Sequence, residues 1–316
     1  MSEKKILKQY MRKDTIFRCM DKIRPGFLKK SAYYGKRTIM QGEECQELIA
    51  EKLKSGEPFM AARYGSVELR CMVEYEALTR GIIEDYCEKT YGSMPNNAGF
   101  FPPTKEYFEK FAKCMRESSA QADVIGIWFN RLENYYVDTY AKDAQLVRLN
   151  GLEPYYFNNP WTKALQGKKV LVVHPFAESI KNQYEKRELL FENPDILPEF
   201  ELITYKAVQT VGGEDLSKFT SWFDALDMMC EDIQKIEYDV AILGCGAYGF
   251  PLAARMKADG KQAIHMGGAT QILFGIKGKR WDEHPVISKL YNAHWIRPMQ
   301  TEQTQNFQKI EQGCYW

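Results

Sequence analysis

No uninterrupted apolar stretch in these 316 residues approaches the ~20 that a membrane helix needs, which excludes a helical span. The eight cysteines include no C-x-x-C pair, and none stands at zinc-finger spacing with histidine. That excludes a zinc ribbon and a thioredoxin-type centre and fits scattered, reduced thiols. No G-x-S-x-G occurs, so the nucleophile elbow of a hydrolase is missing. Histidines number four. There is no internal repeat, no low-complexity tract and no apolar signal core at the N-terminus, so a cytoplasmic protein is expected.

Net charge is also scarce, at +1. It is unevenly placed, because residues 1–40 hold 12 Lys/Arg against 3 Asp/Glu. The remaining residues carry 31 basic and 39 acidic side chains. A body without positive surplus cannot hold a nucleic-acid backbone over a wide face, so no nucleic-acid partner is expected. Aromatics are abundant, with 19 Tyr, 17 Phe and 6 Trp, and core packing is their first use.

The basic arm, residues 1–40, has a helical period. Ile6, Leu7, Tyr10 and Met11 share one face, and Phe17, Met20, Ile23 and Phe27 continue it. Lys4, Lys5, Lys8 and Arg12 fall around the other face, and Pro25-Gly26 breaks the helix. Such a segment suits either an anionic membrane surface or the acidic body itself. Residues 41–160 read as a mixed α/β lobe: a helix over 43–54, strands over 58–65 and 122–128, and a helix over 104–118. A join is expected near Asn158-Asn159-Pro160. From 161 to 316 strands and helices alternate: "KKVLVV", "FELITYKAV", "YDVAILG" and "QAIHMGG" are strands separated by helical patterns. Alternation of this kind predicts right-handed βαβ units and a Rossmann-like parallel sheet with helices on both faces. Ligands of such sheets bind beyond the carboxyl ends of the strands.

One of those ends reads "GCGAYG", residues 244–249, which is G-x-G-x-x-G between a strand and a helix. Gly244, Gly246, Tyr248 and Gly249 belong to this turn, which can aim backbone amides and a helix N-terminus at an anion. An NAD site also needs a carboxylate at the end of the next strand. That end is His265-Met266-Gly267-Gly268, with neither acid nor arginine, so no NAD is expected. A phosphate of another nucleotide suits the turn better; tight helix–strand packing is the competing use of its glycines. Gly267 and Gly268 end the adjacent strand, and Lys277, Lys279 and Arg280 follow as candidate diphosphate ligands.

Two segments resemble the GT-D-type glycosyltransferases. "RYGSVE" (63–68) is similar to the family's R-[FY]-G-D-G-E segment, and "DVAILGCGAYGFPLAARMKADGKQAIHMGG" is similar to its C-terminal nucleotide-sugar unit. The resemblance spans roughly residues 45–285. It implies transfer of a sugar from a nucleoside diphosphate sugar to a glycan or lipid-linked glycan acceptor, in surface polysaccharide or glycoprotein glycan assembly. It also implies Arg63 and Gly65 as diphosphate contacts. The family's D-x-E pair falls on Ser66-Val67-Glu68. Glu68 carries over as a ligand of Mn²⁺ or Mg²⁺ or as general base; Ser66 stands where the Asp would be. Alternatively Ser66 caps a helix whose exposed first turn holds Glu68. With the basic arm, the resemblance gives a peripheral location at the inner face of the cell membrane.

His174 and His265 fall at predicted sheet ends, which favours ligand contact, with His174 a candidate catalytic residue. Glu178 lies one turn beyond His174, and "TVGGED" (210–215) is another loop at a sheet end. Asp282-Glu283-His284 is a poor metal cluster, because adjacent residues do not share a face. An NAD(P)-dependent oxidoreductase and a non-catalytic nucleotide-binding module are the alternatives to a transferase.

Overall fold

The apolar runs become strands of one sheet. In chain order they are β1 (Ile39–Met40), β2 (Phe59–Ala62), β3 (Val124–Ile127), β4 (Gln145–Arg148), β5 (Lys169–His174), β6 (Glu201–Lys206), β7 (Val240–Leu243) and β8 (Gln262–His265). The helices are α1 (Glu3–Ile23), α2 (Glu43–Ser55), α3 (Ser66–Thr79), α4 (Glu88–Ala98), α5 (Lys105–Ser119), α6 (Glu133–Tyr140), α7 (Ala177–Tyr184), α8 (Trp222–Ile233), α9 (Gly249–Ala258) and α10 (Thr270–Leu273). The computed structural model describes residues 2–29, 31–34, 37–213, 215–304 and 313–316. Four residues of the basic arm (Met1, Lys30, Gly35 and Lys36) and Glu214 of the 210–215 loop lie outside them.

The sheet order is β1-β4-β3-β2-β8-β7-β5-β6, and every pairing is parallel. Strands β2, β3, β7 and β8 are buried along their whole length, as parallel strands covered on both faces must be. Side chains alternate between two cores. Met60, Ala62, Ile125, Leu171 and Val173 enter one, which also takes α1, α3, α4, α5, α6, α8 and α9. Phe59, Ala61, Val124, Val170 and Val172 enter the other, against α2, α7 and α10. The edges differ in kind: β1 is two residues long, and β6 carries Glu201 and Lys206 at its exposed ends, which discourages edge pairing.

The sheet runs through the expected join at residue 160. β2 pairs with β8 in register Phe59↔Gln262, Met60↔Ala263, Ala61↔Ile264. Residues 41–160 therefore contribute three of the eight strands of the same sheet, β2, β3 and β4, rather than building one of their own. The register has a consequence for the site, since it sets the residue after β2, Arg63, beside the residues after β8.

The arm forms α1, and its apolar face is occupied by protein. Leu7 is fully buried, and Ile6, Tyr10, Met11 and Phe17 pack on the core of the α3 side. Tyr10 donates to Asp138, and Lys4 donates to the carbonyl of Gly81. The face considered for lipid is thus turned inward, leaving Ile16 and Ile23 as the large exposed apolar groups of α1. Among the described residues no helix is long and apolar enough to cross a membrane.

Candidate active site

The chain steps from β5 outward to β6 and then back across β5 to β7, so the strand order reverses between β5 and β7. A crevice forms at such a reversal, beyond the carboxyl ends of the strands. Here it is a cleft of about 700 Å³, its open mouth included. His174 after β5, Val208–Val211 after β6, Gly244–Tyr248 after β7 and Gly268 after β8 line it. Arg63 reaches it from β2, and Asn97, Gln271, Tyr315 and Trp316 complete the wall.

The glycine turn divides its work. A Cβ at Gly244 would strike the His174 ring and Thr270, and a Cβ at Gly249 would strike the His265 ring. These two glycines admit buried histidines. Gly246 differs: its φ is +58°, and a Cβ there would meet nothing within 4 Å. It opens the turn toward the cleft. One 3₁₀ turn, Gly246–Tyr248, leads directly into α9. The first amides of that turn have no intrahelical acceptor, and the helix dipole adds positive potential there. The corresponding end of α7 is already filled by the chain. Buried Glu302 accepts from the backbone N–H of Glu178 at 2.8 Å and from the side chain of Ser179. Phe176, the N-cap of α7, also lines the cleft, but the amides behind it are taken by Glu302, so of these two helix ends that of α9 is the one left open.

Arg63 is the only cation in the lining of described residues, and no carboxylate accompanies it. Its guanidinium lies against Gly267, where a side chain would collide with it, and 5.5 Å from the centroid of the Trp128 ring. Among the described residues it makes no hydrogen bond or ion pair. Buried Gln271 donates through Nε2 to the carbonyls of Ile276 and Tyr315, while its Oε1, also buried, accepts from nothing. Among the described residues the cleft therefore has a helix start and a guanidinium without a hydrogen-bonded partner, although the guanidinium's charge acts on Glu153. Behind its wall lies the buried, unpartnered Gln271 Oε1.

Two histidines of the site, His174 and His265, are buried and uncharged. Burial pushes His174 down to about 3. Burial, with the Arg63 charge adding to it, pushes His265 to about 3 as well. His174 Nδ1 accepts from the backbone N–H of Phe176 at 2.9 Å, which assigns the proton of a neutral ring to Nε2. His174 touches the cleft; His265 packs behind the turn, 3.3 Å from the carbonyl of Leu243. Cys245 lines the cleft too, but burial raises its thiol to about 12, so it holds no thiolate.

Several expected site residues lie elsewhere. Lys277, Lys279 and Arg280 do not line the cleft. Lys277 sits over the Tyr291 ring, and Arg280 lies over the rings of Tyr315 and Trp281. Arg63 takes their place. Tyr248 is in the wall, but its ring stacks on Trp222 at 4.6 Å and its hydroxyl meets Thr210 at 3.0 Å. Glu178 is exposed outside the cleft. Asp282 pairs with Arg297, and His284 accepts from the backbone of Val286 and Ile287, so that trio is structural.

The "RYGSVE" segment straddles the end of β2 and the start of α3. Gly65, not Ser66, is the N-cap, and Ser66 is the first helical residue. The Glu68 carboxylate folds back over Gly65, where a Cβ would collide with it. Gly65, Ser66 and Glu68 stand outside the cleft lining, and Ser66 faces a second groove. Among the described residues no three of His, Cys, Asp and Glu converge to hold a metal ion. Ser66 and Glu68 alone do not form a metal cage.

Sequence reasoning missed Asn97, Gln271, Tyr315, Trp316 and Trp128. Each is a single residue outside any motif; only the terminal "CYW", two aromatics in a short polar stretch, offered a hint.

Fold and cleft together define a doubly wound α/β protein with an anion-receptive site at the carboxyl edge of its sheet. The model of the GT-D fold-like domain matches residues 40–273, and the chain belongs to that family. The resemblance seen in the two sequence segments agrees with it. Two solved structures are similar. One is the selenomethionine-substituted domain of unknown function 1792, at 12% identity and a TM-score of 0.46, with 88% of this chain and 95% of that one covered. The other is described as the highly conserved domain of unknown function 1792 with a distinct glycosyltransferase fold, at 11% identity, TM-score 0.45 and the same coverage of 88% and 95%. A comparison with curated proteins finds no match.

Proposed function

We propose that this chain is a glycosyltransferase that takes its sugar from a nucleoside diphosphate sugar. The observation that carries the reading is the cleft of a GT-D family chain with one cation without a hydrogen-bonded partner, Arg63, no carboxylate, and the open Gly246 turn at the start of α9. A diphosphate brings two or more negative charges, and an arginine beside an open helix start would offset part of them, which supports the reading.

In this reading the diphosphate lies on the Gly246–Tyr248 amides and Arg63. His174 Nε2–H donates to the ligand, because a ring held neutral down to about 3 is a poor general base but a good fixed donor. Gln271 Oε1 accepts from a hydroxyl or N–H of the nucleotide. An acceptor hydroxyl attacks the anomeric carbon, the bond from that carbon to the diphosphate oxygen breaks, and the diphosphate leaves with the electron pair. Glu68, the carboxylate nearest in sequence to Arg63, takes the acceptor proton. Charge developing on the leaving diphosphate is stabilised by Arg63 and the helix start. The acceptor is a glycan, free or lipid-linked, in surface polysaccharide or glycoprotein glycan assembly.

Glu68 stands outside the cleft lining and Ser66 replaces an Asp. That favours one second reading, a nucleotide-binding module without turnover. Assay of transfer and donor hydrolysis across UDP- and GDP-sugars, with and without Mn²⁺, separates the two. Binding with no turnover of any donor selects the module; absence of binding defeats both. Divalent-ion use has its own test. Ser66→Asp restores the paired carboxylates and is expected to create or strengthen Mn²⁺ dependence.

A further inference from the structure

The loop after β3 is the most constrained irregular backbone among the described residues. Phe129 and Leu132 have φ of +65° and +59°, and they are the only non-glycine residues there with positive φ. Backbone held this way persists only where surroundings over-determine it. Three elements do so here. Fully buried Glu133 of α6 accepts from the backbone N–H of Phe129 at 2.8 Å and of Asn130 at 3.2 Å. Arg18 of α1 donates to the carbonyl of Phe129 at 3.0 Å. Arg148, at the end of β4, lies over the Phe129 ring at 4.9 Å.

What the loop presents is Trp128. Of the six tryptophans, Trp161, Trp222, Trp281, Trp295 and Trp316 are buried, and Trp128 is 39% exposed. Its ring is fixed rather than loose: Nε1 donates to the carbonyl of Tyr64 at 2.9 Å, and the Arg63 guanidinium stacks 5.5 Å from its centroid. Trp128 follows β3 and Arg63 follows β2, and these strands are neighbours. The exposed ring therefore stands beside the diphosphate cleft, one strand further along the sheet edge.

Asn130, two residues on from Trp128 in the same loop, lines a separate groove of about 1370 Å³, its open mouth included. Ser66, Arg70, Glu74, Asp85, Asn130 and Arg131 contribute to its wall. Asn130 Nδ2 is buried there with no hydrogen-bond partner. The mixture of signs contrasts with the cleft, where Arg63 is the only charged side chain among the described lining residues. Mixed carboxylates, guanidinia and an amide match a neutral, polyhydroxylated ligand, whose hydroxyls both donate and accept. An exposed, rigid tryptophan matches the apolar C–H face of a pyranose ring.

We infer that Trp128 is the platform of the acceptor site, on which the terminal sugar of the acceptor stacks, with its hydroxyl edge directed to the Ser66–Asn130 groove. This deepens the transferase reading and rests on it. The test is saturation-transfer NMR with methyl glycosides of glucose, galactose and N-acetylglucosamine in the presence of UDP or GDP. The wild type, Trp128→Ala and Trp128→Phe are compared. At least one glycoside is expected to show transfer to its ring C–H protons in the wild type, with affinity falling roughly tenfold in Trp128→Ala. Trp128→Phe, which keeps a ring under the Arg63 guanidinium, is expected to retain part of it. No glycoside signal in the wild type, or an equal one in Trp128→Ala, overturns the platform. Loss of nucleotide binding in all three proteins instead defeats the transferase reading, while a Trp128-dependent glycoside signal would still stand.

Discussion

Arg63 and Gly246 face the same cleft with opposite kinds of contribution, a charge and an absence of side chain. Replacing Arg63 by Ala removes the only cation among the described residues of the lining. Charge-assisted contacts are worth about 1.5–3 kcal/mol, so nucleoside diphosphate affinity should fall by about ten- to a hundredfold. Gly246→Ala should also weaken binding, through a Cβ placed where the ligand passes and a φ of +58° that alanine resists. Calorimetric titration of the folded variant checks it; unchanged affinity would mean that the ligand does not approach this turn. For Glu68, a Gln substitution should lower kcat by roughly 10²-fold if it takes the acceptor proton. Turnover close to wild type would return Glu68 to a helix-surface role.

Glu133 connects residue chemistry to stability. Burial pushes its carboxyl up to about 7, against partial relief from Tyr34 and the backbone of the Trp128 loop. A carboxyl raised in the folded state holds a proton there that the unfolded chain has already released. Its contribution is therefore full below about 4.5, the unfolded value, and is lost as pH rises through about 7. Each pH unit in that window amounts to about 1.4 kcal/mol. His174 and His265 act in the opposite sense, because their folded values are depressed and stability falls as pH drops below about 6.5. The wild-type profile thus mixes both signs, and the difference from Glu133→Gln isolates one. Denaturant unfolding should show the variant gaining on the wild type between pH 5 and pH 7.5; a constant gap would contradict the assignment.

At the scale of elements, α1 is the clearest case of two uses written in one pattern. Its apolar period and its lysines suit a membrane surface, and they suit a helix lying on an acidic body equally well. The body takes it: Leu7, Tyr10 and Phe17 are in the packing, and Arg18 and Asp14 reach the loop after β3, Asp14 accepting from the Leu132 N–H at 3.4 Å. A chain beginning at Gln41 should accordingly lose stability, with a lower melting temperature and a less ordered Trp128. Full-length protein should stay in the supernatant with anionic vesicles at low salt. Pelleting of the full chain, with the shortened one soluble, would restore the membrane role.

Other elements show where pattern stops informing. β5 and β7 were legible as apolar runs next to glycine, because a strand buried on both faces is largely apolar, and β8, "QAIH", was legible from the glycines that bracket it. β1 and β4 were not legible. One has two residues, and the other, "QLVR", is half polar. The helix α10 ends at Leu273 after one turn, with Gly275 at φ +64°. There the chain turns away, which carries Lys277, Lys279 and Arg280 toward Tyr291, Tyr315 and Trp281 instead of the cleft. Nearness in sequence to Gly267-Gly268 held no information about that direction.

At the scale of the whole molecule, the site depends on a sheet longer than local pattern implied. Two separate lobes would have left "RYGSVE" and "GCGAYG" on different bodies. The β2–β8 pairing joins them, so that Arg63 and Gly246 line one cleft and Trp128 stands beside it. Arg63 was legible only through family resemblance, since a lone arginine after a strand has no periodic signature. Tyr315 and Trp316 were hinted at only by two aromatics in a short polar stretch, because they reach the cleft from the far end of the chain.

The central claim is that this cleft receives the diphosphate of a nucleotide-sugar donor. Isothermal titration of the wild type and Arg63→Ala with UDP, GDP and NADH tests it most directly. The account predicts that a nucleoside diphosphate binds the wild type, that Arg63→Ala binds it at least about tenfold more weakly while remaining folded, and that NADH binds neither. Absence of nucleoside diphosphate binding, or equal affinity in the two proteins, would contradict it.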